Sequence, residues 1–112
     1  MNCTIRLTPH FFKELKRLAK RHRSLEKDLQ VFQQSLRENP WQGVELGNGL
    51  RKVRMAITSK GKGKRGGARV ITFTAVLSIE NMEVVLVTIY DKSEQETISD
   101  KELMRLKEEN GL

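Results

Sequence analysis

The sequence predicts an α+β fold in which an N-terminal strand and a helical hairpin pack on one face of a mainly antiparallel sheet. Two segments near the N-terminus carry apolar residues at helical spacing, whereas the second half of the chain alternates apolar and polar residues as strands do. The later strands are separated by turns and loops, which is typical of hairpin connections. The predicted order is β-α-α-β-β-β-α within a single domain, residues 1–112, and this length suffices for a buried core.

The first forty residues predict the strand and the two helices. Residues 3–7 alternate loosely, and Thr8-Pro9 supplies an N-cap and a proline suited to the first helical position. Ser24 can cap a second helix, which Asn39-Pro40 ends. Residues at helical spacing form one mainly apolar face on each helix. They are Phe11, Leu15, Leu18 and His22 in the first helix, and Leu25, Leu29, Phe32 and Leu36 in the second. Because the break between the helices is short, they are expected to form an antiparallel hairpin.

From Leu50 onward the period changes to two, after a segment over residues 41–49 that is predicted to be a turn-rich connector. The strand that begins at Leu50 has side chains on two faces. Val53, Met55 and Ile57 lie on one side, and Lys52 and Arg54 lie on the other. The sheet face opposite the helical hairpin is expected to be partly open, with the two basic residues pointing out of it.

Two further strands and a helix complete the predicted fold. Residues 69–79 predict a strand with Ile71, Phe73, Ala75 and Leu77 on one face. Residues 82–90 are nearly all apolar, which predicts a central strand. Ser99 and Glu102 have the spacing of a capping box and predict a last helix whose inward residues are Leu103 and Leu106.

One segment, Arg51–Arg69, contains all of the excess positive charge of the chain. The chain has 21 Lys+Arg and 14 Asp+Glu, a net charge of +7. The segment has no acid and eight basic residues: Arg51, Lys52, Arg54, Lys60, Lys62, Lys64, Arg65 and Arg69. Without these eight, 13 basic residues stand against 14 acidic ones, so the rest of the chain is close to neutral. This concentration predicts a polyanionic partner, with nucleic acid favoured over an anionic membrane surface.

Several other classes of protein are excluded. The single cysteine, Cys3, permits no intramolecular disulfide, which favours a reducing, cytoplasmic location. No apolar run approaches the ~20 residues needed to span a bilayer, and the N-terminus lacks the apolar stretch of a secretory signal. His10 and His22 are 12 positions apart and have no other ligand at suitable spacing. No metal site and no small-molecule cofactor are therefore expected.

The loop Gly61–Gly66, GKGKRG, matches the GxGxxG spacing of dinucleotide-binding proteins. That motif requires a helix after it, whereas a strand is predicted here, so nucleotide binding is rejected. Two interpretations remain, a flexible solvated loop or a finger whose cations follow a phosphate backbone. Four cations within the six residues 60–65 repel one another unless an anion is near, which favours the second interpretation. The predicted RNA-binding residues are Arg51, Lys60, Lys62, Lys64 and Arg65.

The same region suits metal-independent cleavage of RNA. RNA carries its own nucleophile, the 2′-hydroxyl, so a protein has to remove that proton, stabilise the dianionic transition state and protonate the 5′-oxygen. Arg69 suits the second task because a guanidinium pairs phosphate oxygens bidentately. Lys52, crowded by Arg51 and Arg54, is the hypothesised general base.

The predicted catalytic residues lie at strand positions that a meander can bring together. They are Lys52, Arg54, Arg69, Tyr90 and Lys92, with Tyr90 and Lys92 competing for the role of general acid. Simple alternation puts Arg69 on the face of Ile71, so a bulge or the loop geometry is expected to turn it toward the other cations.

Three stretches resemble RelE/HigB-type toxins of bacterial toxin–antitoxin pairs: GLRKVRMA (Gly49–Ala56), SKGKGKRGGARVI (Ser59–Ile71) and LVTIYDKSE (Leu86–Glu94). The likeness covers nearly the whole chain and is closest to the HigB-like branch in its KGKGKRGG loop. The family fold, two helices on an antiparallel sheet, agrees with the predicted order. The resemblance implies an mRNA endonuclease that cuts codons in the ribosomal A site and is silenced by a cognate antitoxin protein.

By motif match, the resemblance implies functional roles for Lys52, Arg54 and Arg69, and for Lys92, where the family often has arginine. The RelE branch often carries a catalytic tyrosine close to the position of Ile98, so Tyr90 is a substitute by hypothesis. Two alternatives remain open. One is a ParE-like relative that inhibits DNA gyrase and cuts no RNA, and the other is an RNA-binding module without catalysis. The retained basic residues favour the endonuclease.

Overall fold

The computed structural model describes residues 2–112, within which five strands and three α-helices form the predicted α+β fold. In chain order the elements are β1 (Asn2–Leu7), α1 (Pro9–Ala19), α2 (Leu25–Glu38), β2 (Val44–Gly47), β3 (Leu50–Met55), a short 3-10 helix (Thr58–Lys60), β4 (Ala68–Val76), β5 (Asn81–Asp91) and α3 (Asp100–Glu109). The sheet order is β1-β5-β4-β3-β2, with β1 parallel to β5 and the other neighbours antiparallel. β5 is therefore paired on both sides, which confirms the predicted central strand.

Side-chain caps confirm two of the three predicted helix starts. The Thr8 hydroxyl accepts a hydrogen bond of 3.0 Å from the N–H three residues later, and Ser99 accepts one of 3.2 Å in the same way. Ser24 occupies the N-cap position of α2 as predicted, but its hydroxyl donates to the Asp28 carboxylate at 2.7 Å and makes no capping hydrogen bond to the first turn of the helix. Asp28 also accepts from the Thr58 N–H at 2.9 Å. This cluster ties the beginning of α2 to the segment that follows β3.

Apolar side chains cover both faces of the sheet and form two cores. The first core lies beneath the helical hairpin and includes Phe11, Leu18, Leu25, Leu36, Val53, Met55 and Ile57. The second core lies beneath α3 and consists of Leu50, Ile71, Val85, Val87, Tyr90, Leu103 and Leu106. The face that was expected to be partly open is thus covered by α3 along part of its length. Ile71 belongs to this second face, together with its β3 neighbour Leu50.

A bulge in β5 changes which side chains face which core. The pairing register with β4 shifts by one residue at Val87. Val87 and Tyr90 consequently both belong to the second core, although simple alternation would separate residues three apart. The next side chain, Asp91, is turned toward the helical hairpin, where it contacts His22.

The segment predicted to be a turn-rich connector, residues 41–49, contains the short edge strand β2, which pairs Val44 with Lys52. The turn between β2 and β3 has three consecutive residues in the left-handed region, Gly47, Asn48 and Gly49, with φ of 89°, 55° and 80°. Glycine and asparagine tolerate such angles best. The prediction was wrong here because so short a strand, flanked by glycines, offers too little alternation to be distinguished from a loop.

Gly67 allows the basic loop, residues 61–67, to return close to β3. A Cβ atom at this position would lie 2.2 Å from the Met55 carbonyl oxygen and 2.9 Å from the Ile57 nitrogen. The Gly67 carbonyl oxygen also accepts a hydrogen bond of 3.1 Å from the Lys92 N–H. The close approach therefore positions the basic loop against both β3 and the end of β5.

We expect Gly67→Ala to lower the free energy of unfolding by about 3 kcal/mol, the upper end of the range for overpacking, because backbone atoms cannot swing away from the new methyl group. The matched control is Gly61→Ala, whose Cβ would meet no atom within 4 Å although its φ is 71°. This control is expected to cost about 1 kcal/mol. Chemical denaturation measures both, and equal losses would contradict the close-approach explanation.

Candidate active site

Three predicted site residues form a row across the sheet. Arg54 of β3 pairs with Arg69 of β4, and Arg69 pairs with Tyr90 of β5. Alternation correctly puts Arg69 on the face of Ile71. Lys52 and Arg54 lie on that same face, because they pair with Ile71 and Arg69. The expectation that a bulge must turn Arg69 toward them is therefore wrong. The bulge lies in β5 instead, and it brings Tyr90 into the row with Arg54 and Arg69.

A cavity of about 720 Å³ opens on this face. Six charged side chains line it: Lys52, Arg54, Lys64, Arg69, Lys92 and Glu96. Four of the five predicted catalytic residues therefore meet at one place, and only Tyr90 does not line the cavity. Five cations and one carboxylate give the cavity a strongly positive potential suited to an anion. Glu96 was not predicted, since it is an exposed acid in a loop with no motif around it.

Arg69 holds the basic loop as well as lining the cavity. Its side chain is only 5 % exposed. Nη1 donates to the carbonyl oxygens of Lys64 and Ala68 at 3.1 Å each, and Nη2 donates to that of Arg65 at 3.0 Å. Burial lowers the pKa of the Arg69 guanidinium, and Arg54 lowers it further, while Tyr90 opposes the shift. Arginine still remains charged under such conditions. Arg69 therefore positions the loop, and its remaining N–H donors are those available to a ligand.

Tyr90 is enclosed beneath α3. The residue is 4 % exposed, and within residues 2–112 its hydroxyl has no hydrogen-bond partner. Burial raises the pKa of the Tyr90 phenol, and the neighbouring Arg69 partly offsets the rise. A buried hydroxyl outside the cavity cannot reach a leaving oxygen within it. Of the two residues predicted to compete as general acid, Lys92 is thus the better placed.

The predicted RNA-binding residues separate into distinct groups. Lys64 lines the main cavity, and Lys62 and Arg65 lie on the outer side of the loop with Lys92. The Lys60 ammonium is 2.6 Å from a carboxylate oxygen of Asp91 and is largely buried. Lys60 therefore does not act as a free cation of a mobile finger, because its charge is neutralised within the fold.

Arg51 lies on the opposite face of the sheet from Lys52 and Arg54. Its Nη1 donates to the Trp41 carbonyl oxygen at 3.0 Å, and its guanidinium carbon is 5.4 Å from the centre of the Trp41 ring. This stacking is a cation–π contact. Arg51 thus does not line the cavity, and of the two residues expected to crowd Lys52 only Arg54 shares its face.

Asp91 is a buried residue beside the site whose contacts with Lys60 and His22 sequence reasoning missed. The residue is 1 % exposed, and its carboxylate contacts Lys60 Nζ at 2.6 Å, His22 Nε2 at 2.9 Å and the Ser93 N–H at 2.9 Å. Burial alone would raise the pKa of the Asp91 carboxyl, but the hydrogen bonds from Lys60, Ser93 and His22 outweigh it and hold the pKa well below its usual range. His22 and Asp91 are far apart in sequence, so no spacing pattern could have paired them.

Two further features of the described residues bear on the site. Within residues 2–112, no group of three or more His, Cys, Asp or Glu side chains is arranged to hold a metal ion. None of the helices found in that range is long and apolar enough to cross a membrane.

The structure thus defines an α+β protein with a five-stranded sheet and a basic cavity on its second face. The family model described as RelE toxin of RelE / RelB toxin-antitoxin system matches residues 10–111, and the chain belongs to this family. A solved structure of free E. coli toxin RelE, a mutant with two arginines replaced by alanine, matches with a TM-score of 0.55 and 14% identity, over 86% of this chain and 90% of that one. This likeness shows the fold. The resemblance to RelE-type toxins is confirmed, whereas assignment to the HigB-like branch stays a prediction.

We expect Asp91→Asn to lower the free energy of unfolding at neutral pH by about 3–5 kcal/mol, because it leaves the Lys60 ammonium buried without a partner. The matched control is Asp100→Asn, which removes an exposed acid from the first turn of α3 and is expected to cost about 0.5 kcal/mol. Urea denaturation of the two variants measures the difference. A loss no larger than that of the control would contradict the role given to Asp91.

The same carboxylate is expected to make stability depend on pH. Since the folded-state pKa of Asp91 is depressed, its stabilisation is fully present above the ordinary aspartate value of about 3.9 and is lost as the pH falls through that value toward the folded-state pKa. The wild-type free energy of unfolding is therefore expected to fall more steeply than that of Asp91→Asn between about pH 5 and pH 2. Parallel curves for the two proteins would show that the Asp91 charge is not the cause.

Proposed function

We propose that this toxin is a metal-independent endoribonuclease that cleaves mRNA on the ribosome and thereby inhibits translation. The observation that supports the proposal is the cavity in which Lys52, Arg54, Arg69 and Lys92 meet around one space. Arg54 and Arg69 are cross-strand neighbours of like charge, an arrangement that destabilises a sheet. An anion bound between them would remove that penalty, and a phosphodiester is the anion that fits both the charge and the family.

The proposed reaction is attack of the 2′-oxygen on the adjacent phosphorus. A bond forms between the 2′-oxygen and phosphorus, the bond from phosphorus to the 5′-oxygen breaks, and the products are a 2′,3′-cyclic phosphate and a 5′-hydroxyl. Arg54 and Arg69 stabilise the negative charge that grows on the phosphoryl oxygens. Lys92 gives a proton to the departing 5′-oxygen.

Two groups in the cavity are candidates to accept the 2′-hydroxyl proton. Lys52 is the base proposed from the sequence, and Glu96 is the carboxylate that the described residues contribute to the lining. An ionised carboxylate can accept a proton directly, whereas a lysine ammonium must first lose a proton before it can act as a base. Glu96→Gln and Lys52→Met therefore distinguish the two assignments, since the true base shows the larger fall in the cleavage rate.

The lining of the cavity is consistent with dependence on the ribosome. None of the aromatic side chains among residues 2–112 lines it, so these residues offer no ring on which a base can stack. Contacts to phosphate position a strand but carry no sequence information. We propose that the ribosome presents the mRNA in a fixed conformation and that the cationic cavity acts on it there, in the cytoplasm. A cognate antitoxin protein would keep the free toxin inactive.

A non-catalytic RNA-binding module is the second candidate. The observation that favours it is that no histidine of the described residues lines the cavity, so the usual neutral-pH acid and base is missing. Primer extension on mRNA after brief induction separates the candidates. Codon-phased cuts support the nuclease, intact mRNA with toxin bound to it supports the module, and intact mRNA with broken DNA supports a ParE-like inhibitor of DNA gyrase.

We expect Arg54→Gln to reduce the rate of mRNA cleavage on purified ribosomes by about 100-fold, because one charge that stabilises the transition state is removed. The matched control is Arg51→Gln, a change of the same type on the same strand but on the other face. It is expected to change the rate by no more than about threefold, since its charge lies on the other face of the sheet, against Trp41, and is screened by salt. Equal losses for the two variants would mean that general charge, not the cavity, governs the activity.

A further inference from the structure

The outer side of the basic loop forms a second concave surface, the outer site. It encloses about 400 Å³ and is lined by Lys60, Lys62, Arg65, Gly66, Lys92 and Ser93. Every charged side chain in this lining is basic. Such a surface attracts anions and repels cations over a distance of several ångströms.

Three of the four cations of the outer site keep their charge uncompensated. Lys60 is neutralised by Asp91. Lys62, Arg65 and Lys92 take part in none of the ion pairs formed among residues 2–112. Lys62 and Arg65 are also exposed. Three like charges around one concave surface repel one another, and a bound anion would relieve that repulsion.

The backbone that carries these cations is held in place from two sides. Arg69 donates to the Lys64 and Arg65 carbonyl oxygens at 3.1 Å and 3.0 Å. The Lys92 N–H donates to the Gly67 carbonyl oxygen at 3.1 Å. Because the backbone is already fixed, fewer degrees of freedom are lost when a ligand binds.

Lys92 connects the outer site to the main cavity, since its side chain lines both. We propose that the outer site binds a second phosphate of the RNA strand whose scissile phosphate occupies the main cavity. This inference rests on the proposed function. The strand crosses Lys92, and Lys62 and Arg65 hold a phosphate beyond the cleaved bond. An acidic protein segment is the competing ligand, but the continuity of the two sites through Lys92 favours a single polyphosphate chain.

The test uses RNA that cannot be cleaved, so that it reports binding alone. Two 2′-deoxy-substituted probes are compared, and fluorescence anisotropy measures the affinity of each. The dinucleotide fills the main cavity alone, and the hexanucleotide is long enough to reach the outer site as well. The double variant Lys62→Gln/Arg65→Gln is expected to weaken hexanucleotide binding about tenfold more than dinucleotide binding. The steepness of log affinity against log salt for the hexanucleotide is expected to fall by about 0.7 for each phosphate that the variant no longer neutralises.

The matched control is Lys13→Gln/Arg37→Gln, which removes one lysine and one arginine that are exposed on the helical hairpin. It is expected to leave the preference for the longer RNA intact. Arg65→Lys keeps the charge and is expected to retain most of the preference, and thermal unfolding checks that each variant is folded. Lys92→Gln is expected to weaken both probes, because its side chain lines both sites.

Three results would overturn the proposal. The first is an equal loss of affinity for both probes in Lys62→Gln/Arg65→Gln, and the second is an equal loss in the control variant. The third is an oligoglutamate that binds as tightly as the hexanucleotide and depends on the same two residues, which would assign the outer site to an acidic protein segment. Failure of the proposed function is a separate outcome, since an RNA that binds at two sites but is never cleaved would contradict only the nuclease.

Discussion

The buried carboxylate of Asp91 joins parts of the chain that are far apart in sequence and that together hold the basic site. Lys60 ends the 3-10 helix that precedes the basic loop, His22 comes from the connection between α1 and α2, and Ser93 from the turn after β5. A buried carboxylate without partners is strongly unfavourable. The burial of Asp91 therefore depends on its contacts with these three residues. They place Lys92, the next residue after Asp91, between the main cavity and the outer site.

The same contacts divide the basic residues into those that stabilise the fold and those left for a ligand. Lys60 is neutralised inside the protein and Arg51 is stacked on Trp41, so neither adds to the free charge at the cavity. Arg54 and Arg69 instead lie directly opposite each other across two strands. Like charges in that position cost a sheet up to about 1 kcal/mol. Violations of local stability rules of this kind concentrate at functional sites.

Much of the fold follows from periodicity. The helical hairpin, the central strand and the caps at Thr8 and Ser99 could be predicted because each depends on residues close together in sequence. The edge strand β2 could not, since four residues beside glycines carry little pattern. The second core explains why Arg69 was wrongly expected on the face opposite Lys52 and Arg54. Alternation alone shows which residues share a face, and it does not show which face the helical hairpin covers when both are apolar.

The site was predictable in its residue types and less so in its geometry. The charge excess led to Lys52, Arg54 and Arg69, and the position after the last strand, together with the family resemblance, led to Lys92. These four residues do line one cavity. The burial of Tyr90 depends on a bulge in β5 and on the packing of α3, neither of which leaves a local signal. Asp91 and Glu96 were missed because their importance comes from partners that only the fold brings near.

The central claim is that the RNA supplies its own nucleophile and that the cationic cavity stabilises the transition state. The most direct test uses ribosomes programmed with an mRNA in which the nucleotide on the 5′ side of the mapped cut carries 2′-deoxyribose. The expected result is that unmodified mRNA is cut, leaving a 2′,3′-cyclic phosphate, while the deoxy-substituted mRNA stays intact at that position. Cleavage of the substituted mRNA at the same position and a similar rate would contradict the account.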